Sequence, residues 1–427
     1  MLIQHFPPLA AGGSGAAPGA ALGELRRAVQ AAKRDALTRP QRLAQLAALP
    51  LWPLVVLVSS LAWQLPRHGA RAWRQSGRNP LLQLADQLRL ALTAGMWPHQ
   101  YYMFELFRPE LRAQARSYLL RQETKRGVYS MLKDRPRKNP VFARKDLFAD
   151  ACAAAGLPHG ALIARLGNGA ADWRGEHQAL PPRDLFVKPV RGRGGRGAER
   201  WRWDGAAFAG AGKVRLTAAG LLARLCARRE ASVVMPCLVN HPVLSGLALT
   251  GLGSGTLATL RIVTCRDEQD APEAMAAALR FPRRPDAVVD NFHAGGLAAI
   301  VDLATGALGA ATDLGLARDS AWHDRHPVSD APIAGALVPF WREAKHLAER
   351  AHTALGDRVV IGWDVAVLAD GPVLIEANGF PDLDILQRCG RAPLGPSRLC
   401  DLMALHLRRA YPPRLSVVAP PPRLASR

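Results

Sequence analysis

The segment Val359 to Phe380, VVIGWDVAVLADGPVLIEANGF, limits what this chain can fold into more than any other stretch of it. Two apolar runs flank Ala369-Asp370-Gly371, which suits a three-residue hairpin loop with glycine in the left-handed position. Pairing Leu368 with Pro372 then sets Ala366 opposite Leu374 and Asp364 opposite Glu376, with Asn378 two residues further along the same face. A two-residue loop would put the acids on opposite faces instead. Like charges directly opposed in a hairpin repel, so the arrangement calls for a cation between them. Magnesium meets that need, because it takes oxygen ligands and is usually held by one or two carboxylates with substrate phosphates and water. Asp364, Glu376 and Asn378 are therefore the expected metal-binding residues. The competing reading, two unrelated surface acids, sits poorly with the apolar residues around both.

A second segment asks for an anion. Asp184 to Val190 (DLFVKPV) reads as a short buried strand holding Lys188, and Arg191 to Gly197 (RGRGGRG) follows at once. Glycines let backbone N–H groups approach a polyphosphate closely, and Lys188 with the nearby arginines supplies positive charge. No G-x-x-x-x-G-K-[ST] occurs, which excludes a P-loop nucleotidase at the level of motif. Taken alone, the glycine run also fits a Gly/Arg-rich RNA-binding loop or a plain hairpin turn. Upstream, Arg144 to Gly156 (RKDLFADACAAAG) reads as a helix ended by glycine, carrying Lys145 near its start.

In this order the motifs resemble the ATP-grasp superfamily, particularly its sugar-transfer-associated and glutamate-ligase-like branches. The resemblance places Lys145 and Lys188 at the family's two nucleotide-phosphate lysines, and Gly192, Gly194, Gly195 and Gly197 in the loop that closes over ATP. Val233 to Leu238 (VVMPCL) resembles the strand and hinge that read adenine, putting Met235 and Leu238 at the base. Arg261 in TLRIVT and Arg280 in ALRF resemble arginines reaching phosphate or acyl-phosphate, and Asn291 in DNFHAGG lies in what looks like the family's Asn-containing Gly-Gly loop. Asp364, Glu376 and Asn378 match its metal-binding residues. The resemblance implies an α+β ATP-grasp fold, with a small subdomain over 141–239 and a large one over 240–410, using ATP and Mg²⁺. Met235 departs from the Gln or Glu of many relatives, and no ribose-binding acid is identifiable.

Residues 1–140 carry 21 Lys+Arg against 7 Asp+Glu, so +14 of the net charge of +21 lies in the first third of the chain. Arginine-rich coding bias and attraction to polyanions explain this equally well. The region reads as helical, with Tyr101, Tyr102, Phe104, Phe107 and Tyr118 at core-like spacing. Leu49 to Leu65 is seventeen residues without a charge. It is short for a span and contains two prolines, so a buried or interfacial helix is favoured over a transmembrane one, and peripheral membrane contact through residues 49–74 is expected. Lys133 to Pro140 (KDRPRKNP) marks a boundary, and residues 411–427 a disordered tail. Six cysteines lack zinc-site spacing and read as free thiols of a reducing cytosol; the protein would work there, at the inner face of the membrane if the apolar segment docks. His241, His293 and His326 read as structural before catalytic.

The expected activity is an ADP-forming ligase that activates a carboxylate as an acyl-phosphate for attack by an amine, on a cell-surface sugar or polysaccharide precursor. Two rivals remain at this level: a kinase-like phosphotransferase releasing the phosphorylated product, and a non-catalytic protein binding anionic membrane or nucleic acid. Nucleic acid is the weaker partner, because a protein without catalysis has no need of Asp364, Glu376 and Asn378 on one face.

Overall fold

The computed structural model describes residues 20–132, 140–192, 195–250, 256–287, 292 and 295–411. Its strands gather into two antiparallel sheets of seven. The first contains β1 (Ala164–Gly167), β2 (Ala170–Trp173), β3 (Leu185–Pro189), β4 (Glu199–Trp203), β5 (Phe208–Ala209), β6 (Arg215–Leu216) and β7 (Ser232–Pro236), in the order β2-β1-β7-β3-β4-β5-β6. The second contains β8 (Thr259–Arg266), β9 (Pro272–Phe281), β10 (Leu297–Val301), β11 (Leu308–Thr312), β12 (Trp322–His323), β13 (Val360–Leu368) and β14 (Gly371–Asn378), in the order β12-β11-β10-β9-β8-β13-β14. Sheets segregated from helices make this an α+β architecture, as the motif order implies.

The first sheet buries one set of alternate residues and turns the other toward the second sheet, whereas the second sheet is packed on both faces. In the first, Leu185, Val187 and Val234 pack under Leu221 and Leu225 of the helix Ala218–Cys226. Phe186, Lys188 and Met235 therefore point to the opposite face. In the second, Leu260, Ile262, Trp363 and Val365 face the helix Trp341–Leu355. The reverse face is covered by the helices Asp384–Gly390 and Arg398–Ala410, and by Leu22, Leu25 and Val29 of the helix Ala20–Asp35. The first helix of the N-terminal region thus shares the core of the second sheet.

That region is helical over most of residues 20–113, and its aromatics are buried together as their spacing implies. A buried ion pair fastens it in place: Arg388 Nη1 lies 3.1 Å from Glu105 Oε1, and Trp322 Nε1 donates to the same oxygen at 2.9 Å. Burial pushes the Glu105 carboxyl up, but Arg388, the indole N–H, Arg391 and Arg108 together hold it below its usual range. The two sheets are joined along the edge strand β14, where Gly160 N–H donates to Leu374 O at 3.0 Å and Leu374 N–H to Pro158 O at 2.9 Å. This loop covers part of an edge that would otherwise present unpaired backbone.

The β13–β14 register differs from expectation in an instructive way. Leu368 pairs with Gly371, so the loop is the two residues Ala369-Asp370, and Val367 faces Pro372, Ala366 faces Val373 and Val365 faces Leu374. Such a loop alone would separate the acids, yet Asp364 still faces Glu376, because a bulge at Ile375 inserts one extra residue into β14. A bulge sets two residues against one on the partner strand and shifts the alternation by one. Ile375 and Glu376 accordingly both line the cleft while Leu374 and Ala377 are buried in the core. Gly371 takes φ +127°, where a side chain would be strained.

Candidate active site

A cleft of about 1010 Å³ opens between the two sheets. From the first sheet and its neighbours it receives Lys145, Lys188, Gly192, Gly195, Met235 and Leu238; from the second it receives Arg261, Arg280, Asp364, Glu376 and Asn378. Residues separated by more than two hundred positions thus meet in one concavity. Of the other residues expected here, Gly197 stands off the lining and packs against Pro189, while Gly194 and Asn291 lie outside the described residues.

Lys188 is set by the pleat of β3. It pairs with Val233 of β7 and is buried, 9% exposed, on the cleft side of the sheet. Burial lowers its ammonium to about 8, Glu376 and Asp364 opposing that shift and Lys145 adding to it. The Lys188 ammonium makes no hydrogen bond or ion pair with any described residue. Lys145, at the start of the helix Lys145–Ala154, donates from Nζ to the Gly192 carbonyl at 3.1 Å and so ties that helix to the glycine loop. Gly192 and Gly195, at φ +128° and +72°, hold backbone conformations that glycine alone adopts easily.

The second sheet supplies an ion-pair cluster that its register dictates. Asp364 on β13 faces Arg261 on β8 directly, and Arg280 on β9 faces Thr259, two residues from Arg261. Arg261 donates through Nε to Asp364 Oδ1 at 2.6 Å and through Nη2 to Oδ2 at 3.1 Å, while Arg280 Nη2 lies 3.1 Å from Oδ2 and donates to Thr259 Oγ1 at 2.6 Å. All three side chains are close to nine-tenths buried. Burial pushes the Asp364 carboxyl up, and the two guanidiniums outweigh it, leaving the group below its usual range. Asp364, expected as a metal ligand, therefore has both oxygens engaged by arginine. The Glu376 carboxylate stands otherwise, with no hydrogen bond or ion pair to a described residue, and the buried Nδ2 of Asn378 has no hydrogen-bond partner among the described residues.

Among the described residues no group of three or more His, Cys, Asp and Glu side chains converges as a metal cage. Two oxygen donors, Glu376 and Asn378, beside a wall of lysine and arginine are chemically compatible with magnesium all the same, since that ion takes most of its shell from phosphates and water. The cleft is lined as well by Lys125 and Arg121 from the N-terminal region, neither of which has a motif pointing to it, and by Asp382 and Phe380. Lys125 Nζ sits 2.8 Å and Arg121 Nη1 3.6 Å from Asp382 Oδ2. The acids of the FPDLD run were a signal for Asp382; Lys125 carried none. Two of the histidines hold loops: buried His326 bonds the Pro282 carbonyl at 2.9 Å, and His241 accepts from Val243 N–H. His293 lies outside the described residues.

The sequence matches the model of the sugar-transfer associated ATP-grasp family over residues 126–397. The chain belongs to that family. As an ATP-grasp protein it takes ATP. The match begins at residue 126, so Arg121 and the helices before it lie outside the family's shared region. A comparison with curated proteins finds no match. Among solved structures, the ATP-grasp ligase PsnB bound to a minimal precursor, Mg and ADP is 15% identical over 80% of this chain and 75% of that one, with a TM-score of 0.32. The ADP complex of PurK, N5-carboxyaminoimidazole ribonucleotide synthetase, is 13% identical over 57% of this chain and 46% of that one, also at 0.32.

Proposed function

We propose that this ATP-grasp protein is an ADP-forming ligase, which phosphorylates a carboxylate and passes the acyl group to an amine. The observation that carries the proposal is the composition of the cleft, where Lys145, Lys188, Arg261 and Arg280 face Glu376 and Asn378. Adenine rests against Met235 and Leu238, and the phosphates reach the lysines beneath the glycine loop. Glu376 and Asn378 would hold magnesium, which when bound would neutralise phosphate charge. Asp364 fixes the planes of Arg261 and Arg280, so that both guanidiniums meet the charge developing during transfer. A carboxylate oxygen attacks the γ-phosphorus and ADP leaves with the bridging oxygen. The amine then attacks the acyl carbon, giving an amide and releasing phosphate. The sugar-transfer association of the family directs the search for the amine to amino sugars and sugar-linked amines.

The test is ADP release measured while carboxylates and amines are offered singly and in pairs. A ligase gives release that rises sharply only with both, because the acyl-phosphate persists until its nucleophile arrives. Release that saturates with one substrate, together with a stable phosphorylated product by mass spectrometry, would instead establish a kinase.

A further inference from the structure

Residues Arg39 to Ser76 form one continuous helical run of 38 residues, of which only 17% of the most apolar window is buried. Its outward face carries Leu43, Leu46, Leu51, Leu54, Val58 and Leu61, each between 49% and 68% exposed. Their spacing of three to five residues sets them in a single stripe along the helix. Trp63 and Trp73 are half-exposed near its C-terminal end. Isolated apolar side chains on a surface need no explanation, but a stripe of this length does.

The inward face is committed to the protein. Trp52 and Val56 pack with Ala91, and Trp52 meets Trp97 edge to face at 4.7 Å. Gln83 Nε2 donates to the Gly69 carbonyl at 3.0 Å, and buried Arg71 donates to the carbonyls of Gly315 at 2.6 Å and Ala317 at 3.2 Å in the loop after β11. A helix bolted to the catalytic body by a buried guanidinium cannot also be ringed by lipid. Its length, about 57 Å, is close to twice the thickness of a hydrocarbon core. The free face therefore suits a surface against which the helix lies flat.

Charge selects the surface. Residues 36–85 contain six arginines and no aspartate or glutamate. Arg39, Arg42, Arg67 and Arg74 are exposed, and none has an acidic partner among the described residues. A second copy docked by two-fold symmetry would bring these same arginines face to face. Lipid headgroups of negative charge would neutralise them, while tryptophans half-exposed beside arginines suit the headgroup layer.

We infer that the stripe from Leu43 to Leu61, flanked by Arg39, Arg42, Arg67 and Arg74, is a docking face for an anionic lipid bilayer, on which the helix lies in the plane of the interface. The test is co-flotation of the full chain with phosphatidylcholine vesicles, with and without about one-third phosphatidylglycerol. Binding should rise on the order of tenfold with the anionic lipid and fall as salt is added. A Leu54→Glu/Val58→Glu/Leu61→Glu variant should lose flotation while keeping its circular dichroism and its thermal shift with Mg-ATP. An Arg39→Gln/Arg42→Gln/Arg67→Gln/Arg74→Gln variant should lose only the anionic preference. Equal flotation with both lipids, or undiminished flotation of the glutamate variant, would overturn the inference. A dimer in light scattering that the glutamate variant abolishes, without any flotation, would assign the stripe to a second copy and overturn it equally.

Discussion

Lys188 offers a direct probe of whether the cleft receives a polyanion. Its ammonium titrates near pH 8 against an ordinary value of 10.5, because burial penalises the charged form. The folded site therefore opposes that charge by about 3 kcal/mol. By sign, this cost is fully present below pH 8, is relieved as pH rises from about 8 to 10.5, and is absent above. A triphosphate beside Nζ restores the charged form, so binding must take up protons. At pH 7, 8 and 9 the uptake attributable to Lys188 should be about 0.1, 0.5 and 0.9 protons, from the neutral fraction at each pH. Calorimetry with magnesium and a non-hydrolysable ATP analogue, run in buffers of different ionisation enthalpy, reads this number directly. Lys188→Met should abolish the pH-dependent part, and Glu376→Gln should move its midpoint to lower pH, since Glu376 favours the charged lysine. Uptake that stays flat between pH 7 and 9, or that survives in Lys188→Met, would refute the placement of phosphate at this lysine.

The two acids of the hairpin should behave differently from one another. Asp364→Asn leaves two buried guanidiniums without their counter-charge and should cost about 3 kcal/mol in urea unfolding, besides reducing turnover. Glu376→Gln should reduce magnesium-dependent turnover with unfolding within about 0.5 kcal/mol of the parent; equal destabilisation by both would undo the separate roles. Asp384 is buried, its carboxyl raised well above the usual range by burial and by Asp382, and its Oδ1 has no hydrogen-bond partner among the described residues. The folded state thus holds its proton more tightly, and stability falls as pH rises through that window. Asp384→Asn should be the more stable protein at pH 8, with the advantage vanishing near pH 4 in thermal melts at both values. Glu105→Gln should cost about 3–5 kcal/mol by exposing the buried Arg388 to an unpaired existence, and a variant that melts with the parent would show the N-terminal region to be loosely attached.

Local chemistry was legible in the sequence and distant pairing was not. The strands around Asp364 and Glu376, the burial of Lys188 on an alternating strand and the core role of the N-terminal aromatics all follow from periods of two and of about 3.6 residues. The facing of Asp364 and Glu376 was read correctly from a loop one residue too long, because the bulge at Ile375 restores what the shorter loop removes. A bulge leaves no mark in composition, since it is a property of how two strands pair rather than of the residue types in either. Asp364 looked like a metal ligand while its partner Arg261 stood 103 residues away; only the β8–β13 register makes them neighbours. The same holds for Lys125 and Asp382, 257 residues apart and joined where the N-terminal region lines the cleft. Sequence determined which kinds of side chain each strand could offer and to which face, because residue type and pleat are local properties. Tertiary structure decided which charges neutralise one another first, because that depends on distances that only the folded sheets set.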